Sequence, residues 1–173
     1  MNHTDKKTDV RRRSFQRQSA AEGSIDTSDR TGAILLAEDN LINQKVVAAI
    51  VKKAGYRITV VEDGQAAVER YTSAPDLYSL ILMDIQMPKL DGISAARMIR
   101  QWEADRVESA SIAENIPRRV CIIAVTAGAV YHERDDYCRA GMDDLLLKPV
   151  RGEALLTMIE AWLEKQRQAE YPG

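Results

Sequence analysis

The chain has 173 residues, of which 45% are hydrophobic and 29% are charged, and its formal net charge is −2. This length suits one ordinary globular core with a tail and excludes two full-sized domains. The nearly balanced charge gives no reason to expect that the body of the protein binds nucleic acid. No apolar stretch has the length of a membrane span or the pattern of a signal peptide. Cys121 and Cys138 lack the spacing of a metal site, and a reducing cytoplasm is expected.

The first 31 residues differ in composition from the rest of the chain. They are rich in serine, threonine and charged residues and contain few aliphatic side chains. Such a segment buries too little apolar surface to offset its ordering entropy, so 1–31 is predicted to be a disordered arm or a linker. The cluster Arg11–Arg13 could contact nucleic acid or an acidic partner, but a solvated tail is the commoner role of so short a basic run. The globular domain is predicted over 32–167, with a flexible tail at 168–173.

Short apolar runs alternate with amphipathic segments from Ala33 onward. Strands are predicted at 33–37, 58–61, 80–83, 121–125 and 144–147. Helices are predicted after Asn40 and Asp63 as N-caps, from Gly92 to about Ala104, over 129–140 up to Gly141, and around the apolar stripe Leu155–Leu163. Five strand–helix pairs require a parallel sheet with right-handed crossovers. The predicted fold class is therefore α/β, a flavodoxin-like doubly wound (βα)5 domain with strand order 2-1-3-4-5.

Polar side chains follow four of the predicted strands. Glu38 and Asp39 follow the first strand, Asp84 the third, Thr126 the fourth and Lys148 the fifth. In this topology the four strand ends converge on one crevice. Taken singly, each residue could be only a turn, cap or surface residue. Taken together, they favour a functional site.

Three carboxylates in one crevice would repel one another unless they share a cation. Mg²⁺ prefers oxygen ligands and is usually held by one or two carboxylates together with phosphate oxygens. The residues therefore predict phosphoryl transfer, with Asp84 as the nucleophile. Lys148 and Thr126 would bind the oxygens of the incoming phosphoryl group.

Four motifs carry a resemblance to a known family: AEDN at 37–40, LMDIQMPKLDG at 82–92, AVTA at 124–127 and GMDDLLLKP at 141–149. In this order and spacing they resemble a response-regulator receiver domain, over about residues 33–166. The run from AEDNLINQKV to MDIQMPKLDG is most similar to receivers attached to hybrid histidine kinases.

The resemblance implies a two-component or phosphorelay role. Asp84 would accept a phosphoryl group from the phosphohistidine of a histidine kinase or histidine phosphotransfer protein, and an unknown downstream protein would respond. The implied Mg²⁺ ligands are Glu38, Asp39, Asp84 and the main-chain carbonyl of Gln86. Thr126 and Lys148 would bind phosphoryl oxygens, and the Lys148–Pro149 bond would be cis.

Two features depart from the family pattern. Leu145 occupies the strand-five position where the family commonly has Tyr or Phe as half of its switch, and Tyr131 or Tyr137 could substitute. The connection at 104–119 is long for the family and is interpreted either as a partner-specific insert or as a tolerated surface loop.

Other functions compete with this interpretation. A haloacid-dehalogenase-like phosphatase also uses a strand-end aspartate, Mg²⁺, a threonine and a lysine, but its second acid would stand where Gln86 is found. A phosphorylation-independent interaction module is a further alternative. Neither His3 nor His132 has a histidine-kinase context, so the chain is not expected to be a histidine kinase. Its only expected catalysis is of its own phosphorylation and dephosphorylation. The few residues after the last helix leave no expected room for a DNA-binding output domain.

Overall fold

A computed structural model describes residues 32–109, 119–128 and 131–170, so the predicted arm at 1–31 lies outside the described residues. One parallel sheet has the strand order β2-β1-β3-β4-β5, which confirms the predicted fold class. The strands are β1 Ala33–Ala37, β2 Ile58–Val61, β3 Tyr78–Asp84, β4 Cys121–Thr126 and β5 Asp144–Leu147. The helices are α1 Leu41–Lys53, α2 Gly64–Ser73, α3 Gly92–Ser109, α4 Tyr131–Arg139 and α5 Gly152–Glu170, with a short 3-10 helix at Pro75–Leu77.

Helices cover both faces of the sheet. On one face, α2, α3 and α4 pack against a core that includes Tyr71 and Ile99. On the other face, α1 and α5 pack through Val51 and Ile159. Every residue of β1, β3 and β4 is buried because these central strands are covered on both sides. Their carboxyl ends therefore bring the polar residues that follow them to one edge of the sheet.

The local signals for helix ends agree with the structure. Asn40 and Asp63 accept hydrogen bonds from main-chain N–H groups in the first turns of α1 and α2. Gly55 and Gly141 have φ angles of 88° and 85°, a region that glycine enters without steric cost. These residues define where the helices begin and end, and so where the loops at the sheet edge start.

Helix α3 is longer than predicted. It runs to Ser109 instead of ending near Ala104, so the expected loop at 104–119 was wrong in its first part, and 110–118 lies outside the described residues. The added turns are supported from within the helix, since Arg106 lies over the ring of Trp102, which itself packs edge-on against Tyr71 with ring centroids 5.7 Å apart. The sequence after Arg100 is mostly polar and its apolar stripe is narrow, so its periodicity does not predict the last turns of this helix.

The end of the domain also differs from prediction. Helix α5 continues to Glu170, so residues 168–170 are helical where a tail was expected. The Lys148–Pro149 peptide bond is cis, as predicted. Within the described ranges, no helix has the length and apolar character that a membrane span needs.

Candidate functional site

Asp84 is the last residue of β3 and lies at the carboxyl edge of the sheet, paired in register with Val125 of β4. Only 4% of its surface is exposed. The loop that follows is closed by the main-chain N–H of Gly92, which donates to the Ile85 carbonyl oxygen at 3.0 Å. A Cβ atom on residue 92 would overlap the main-chain oxygen of Asp84, so this close approach requires glycine. The acid is therefore held by a tightly closed loop.

Lys148 joins the end of β5 to the two buried acids. Its Nζ lies 2.6 Å from Asp84 Oδ2 and 2.8 Å from Glu38 Oε2. Its main-chain N–H donates to the Thr126 carbonyl oxygen at 2.7 Å, which fixes the strand end beside β4. Residues 84 and 148, which are 64 positions apart, thus meet as predicted.

Glu38 is 2% exposed and is held by two amide side chains that were not among the predicted site residues. Asn43 Nδ2 donates to Glu38 Oε1 at 2.9 Å, and Gln44 Nε2 donates to the Glu38 carbonyl oxygen at 2.7 Å. Both amides lie in the early turns of α1. The available signal was two amide residues just after the Asn40 cap, where the helix faces back toward the strand end.

The three predicted acids form one cluster. Carboxylate oxygens of Glu38, Asp39 and Asp84 all lie within 4.8 Å of one another, and Asp39 is the exposed member. When all groups are ionised, three carboxylates and the Lys148 ammonium leave a net charge of −2 (−3 + 1). The oxygen donors and the excess negative charge fit a hard divalent cation such as Mg²⁺.

The environment shifts the protonation equilibria of the buried pair. Burial raises the pKa of the Asp84 carboxyl; the hydrogen bond from Lys148 opposes this effect, and the charge of Glu38 adds to it. Burial alone would lower the pKa of Lys148, but its hydrogen bonds to Asp84 and Glu38 outweigh burial and raise that pKa. Lys148 therefore stays charged, whereas a cation near Asp84 would ease its ionisation.

Thr126 and Gln86 lie near this cluster but do not make all the contacts expected of them. Thr126 ends β4 and is buried, yet its Oγ1 donates to the Gly128 carbonyl oxygen at 3.2 Å and accepts from the Gly128 N–H. The Gln86 N–H donates to Asp84 Oδ1 at 3.2 Å. The predicted roles of the Thr126 hydroxyl and the Gln86 carbonyl remain predictions.

Leu145 is half-buried in β5 and packs against the core on the α2–α3–α4 face. Tyr137, one of the two substitutes suggested for the missing aromatic residue, is buried in the same core. The side chain of Tyr131, the other, lies outside the described residues. The substitute switch through either tyrosine remains a prediction.

Comparison with known proteins gives the family. Residues 34–160 match the family model described as the response regulator receiver domain. A hybrid signal transduction histidine kinase of Dictyostelium discoideum is 36% identical over 143 residues, which cover 79% of this chain and 8% of that kinase. The chain thus spans less than a tenth of that relative's length.

Two solved structures are also similar. The receiver domain of a sensor histidine kinase from Pseudomonas aeruginosa PAO1, crystallised with a magnesium ion coordinated in the active site cleft, is 40% identical, with a TM-score of 0.63 over 78% of this chain and 98% of that one. The receiver domain of Saccharomyces cerevisiae Ssk1, crystallised with the histidine phosphotransfer protein Ypd1, is 31% identical, with a TM-score of 0.70 over 79% and 91%. The chain therefore belongs to the response regulator receiver domain family, which consists of signalling domains and not of conventional enzymes.

Proposed function

We propose that this chain takes a phosphoryl group from a phosphohistidine onto Asp84 in a two-component phosphorelay and changes its binding to a partner protein in response. One observation carries the proposal: a buried strand-end acid shares a lysine with a second buried acid, and an exposed third acid completes the cluster. Residues 32–167 are proposed as the domain that performs this reaction.

The reaction needs little more than positioning and charge neutralisation. A carboxylate oxygen of Asp84 attacks the phosphorus atom, the new P–O bond forms as the P–N bond to the donor imidazole breaks, and the imidazole leaves with the electron pair. Lys148 already lies 2.6 Å from Asp84 and would pair with the negative phosphoryl oxygens. Water would later hydrolyse the acyl phosphate, which returns the domain to its starting state.

The residues of the acidic cluster fit Mg²⁺, with Glu38, Asp39, Asp84 and the Gln86 carbonyl as its ligands. When bound, the metal ion would neutralise charge on the phosphoryl group. Lys148 neutralises only part of the negative charge of the three acids, which is why this cluster suits a cation.

In the acyl phosphate, a phosphoryl group of about −1.5 to −2 charges would replace the single negative charge of the Asp84 carboxylate at a buried edge of the sheet. Among the described residues, the Thr126 hydroxyl bonds to the main chain of Gly128, so exchange of those bonds for a phosphoryl oxygen would reorder that turn. We propose that this exchange shifts the population between two conformations of the domain and so alters partner affinity.

A histidine kinase or a histidine phosphotransfer protein is the proposed donor. Leu41, Ile42 and Val46 are exposed apolar residues on α1, directly after the acids Glu38 and Asp39. Exposed apolar residues grouped beside a reactive site favour protein docking there. The Ssk1 receiver domain, which was crystallised with a phosphotransfer protein, adds support.

A cytoplasmic location is proposed because the free thiols Cys121 and Cys138 fit a reducing compartment.

Labelling by acetyl phosphate in the presence of Mg²⁺ tests the proposal. The parent protein should form an acid-stable, base-labile phosphoprotein, and Asp84→Asn should not, because an amide cannot form the acyl phosphate. Asp105→Asn, at an exposed position on α3, is the matched control and should label like the parent. Equal labelling of Asp84→Asn and the parent would exclude Asp84 as the acceptor.

Beryllofluoride, a phosphoryl mimic, separates a phosphorylation-gated binder from an interaction module that ignores phosphorylation. The affinity of the parent for its partner protein should change when Mg²⁺ and beryllofluoride are added. The affinity of Asp84→Asn for the same partner should not change. Equal affinity of the parent in both conditions would favour the ungated module.

A further inference from the structure

A second charged contact lies beside the phosphoacceptor loop, between loops of two different strands. Lys89 Nζ, in the loop after β3, lies 2.5 Å from Asp63 Oδ2, in the loop after β2. The other oxygen, Asp63 Oδ1, accepts from the Ala66 N–H at 2.8 Å and caps α2. Asp63 thus ties the Lys89 side chain to the first turn of a packed helix.

The backbone at Lys89 has an uncommon conformation. Its φ angle is 63°, in the left-handed region that non-glycine residues rarely enter. The Lys89 side chain is 73% exposed, whereas that of Asp63 is only 6% exposed. The hydrogen bond from Lys89 lowers the pKa of Asp63, and the cap at Ala66 adds to this, so the acid stays ionised at neutral pH.

A main-chain bond fastens the same two loops. The Gly64 N–H donates to the Leu90 carbonyl oxygen at 3.1 Å. A Cβ atom on residue 64 would overlap that oxygen, so the approach depends on glycine. The Lys89 contact therefore reinforces an attachment that the backbone also makes.

The attached loop is the one that carries the proposed site. It begins at Asp84, donates the Gln86 N–H to Asp84 Oδ1, and closes through Gly92. Only Met87 and Pro88 separate Gln86 from Lys89, and proline restricts that short connection. A shift at Lys89 is therefore transmitted to the peptide at Gln86.

We propose that the Lys89–Asp63 pair is a positioning contact that holds the 85–91 loop in the conformation needed for Mg²⁺ binding beside Asp84. This inference rests on the proposed function of the Asp84 site. Neither Lys89 nor Asp63 touches the reacting atoms; they act through the loop backbone. Their loss would lower metal affinity without removing a ligand.

The test compares three variants in the full chain. Lys89→Asn removes the charge but tolerates the left-handed backbone, Lys89→Arg keeps the charge, and Asp63→Asn keeps an oxygen that can cap α2. Outer partners of metal ligands commonly change affinity 10- to 100-fold, and this contact is weaker because its lysine is largely exposed, so we expect Lys89→Asn to raise the Mg²⁺ dissociation constant roughly fivefold. Lys89→Arg should keep the Mg²⁺ affinity of the parent. The double variant with Asp63→Asn and Lys89→Asn should bind Mg²⁺ no more weakly than either single variant.

Two readouts are required. In the first, Mg²⁺ is titrated while the Gln86 amide resonance is monitored, which measures the affinity for Mg²⁺ without any phosphorylation. In the second, the rate of acetyl phosphate labelling is measured at increasing Mg²⁺ concentration. For Lys89→Asn, the Mg²⁺ concentration that gives half of the maximal rate should rise, while the rate at saturating Mg²⁺ stays unchanged. Lys53→Asn, at an exposed lysine in the last turn of α1, is the matched control and should match the parent in both.

The outcomes separate this inference from the proposed function. An unchanged Mg²⁺ affinity in Lys89→Asn would overturn the inference, and so would a lower unfolding temperature with unchanged affinity, because the pair would then be only structural. If the parent binds Mg²⁺ but is not phosphorylated, the proposed function fails while the titration still decides the role of Lys89.

Discussion

Two buried clusters of acids and bases lie at opposite edges of the same sheet, and they are built differently. At the amino edge, Glu103 and Asp143 are held by Arg100, Arg119 and the Tyr71 hydroxyl. At the carboxyl edge, Glu38 and Asp84 share one lysine, and Asp39 beside them is exposed. Both clusters contain buried carboxylates, but of the two only the cluster at the carboxyl edge has more negative than positive charges.

The amino-edge cluster satisfies its carboxylates with protein donors. All four carboxylate oxygens of Glu103 and Asp143 accept hydrogen bonds, including those from the main-chain N–H groups of Val120 and Ile122. A buried charge network with complete pairing has a structural role, since it fastens α3 to the start of β4 and to the loop before β5. Incomplete neutralisation, and not burial of charge alone, distinguishes the carboxyl edge, where the reactive site is proposed.

Lys148→Ala should have the largest effect. Loss of a positioned cation that stabilises charge in a transition state commonly costs about 100- to 1,000-fold in rate, and we expect a loss of that order in acetyl phosphate labelling. The unfolding transition should remain cooperative. Lys53→Ala, at an exposed lysine, is the control. If Lys148→Ala is labelled at a rate within twofold of the parent, Lys148 has no role in the mechanism.

Arg100→Met should mainly destabilise the fold. Removing one partner from a buried ionic network leaves carboxylates uncompensated, so the free energy of unfolding should fall by about 3 kcal/mol. Labelling per folded molecule should be unchanged, because the network lies at the other edge. Urea unfolding checks this, with Arg97→Met, an exposed arginine on the same helix, as the control. If labelling falls as much as stability, the two edges are coupled.

Asp39→Asn should separate metal binding from folding. In the parent, Mg²⁺ at 100 times its dissociation constant should stabilise the fold by about 2.7 kcal/mol, because the metal binds only the folded state. Asp39 is exposed, so its neutral variant should unfold like the parent without Mg²⁺ and gain much less when Mg²⁺ is added. Thermal unfolding with and without Mg²⁺ measures both. An equal gain in the two proteins would exclude Asp39 as a ligand.

Asp63→Asn should have the smallest effect, and one that depends on pH. The pKa of Asp63 is lower in the folded protein than in the unfolded chain, so its ionisation stabilises the fold above the unfolded pKa. This contribution is lost as the pH falls through the folded pKa. The variant should therefore be slightly less stable than the parent at pH 7 and equally stable in strong acid. A difference that persists at low pH would assign the effect to the helix cap instead.

The sequence by itself determined the order of strands and helices, the ends of several helices, and the acids, hydroxyl and lysine that follow the strands. These features depend on short-range patterns: apolar runs, N-cap side chains such as Asn40, and glycines with positive φ such as Gly141. Parallel topology then requires the strand ends to converge, which is why Asp84 and Lys148 could be predicted as neighbours.

Only the tertiary structure decided the remaining contacts. Arg100 meets Asp143 across 43 residues, and no local pattern encodes which of many charged side chains will pair. The same is true of the Lys89 contact with Asp63, across 26 residues, and of the edge-on packing of Trp102 against Tyr71. Such pairings follow from how helices pack on the sheet, because packing sets the distance between residues that are far apart along the chain.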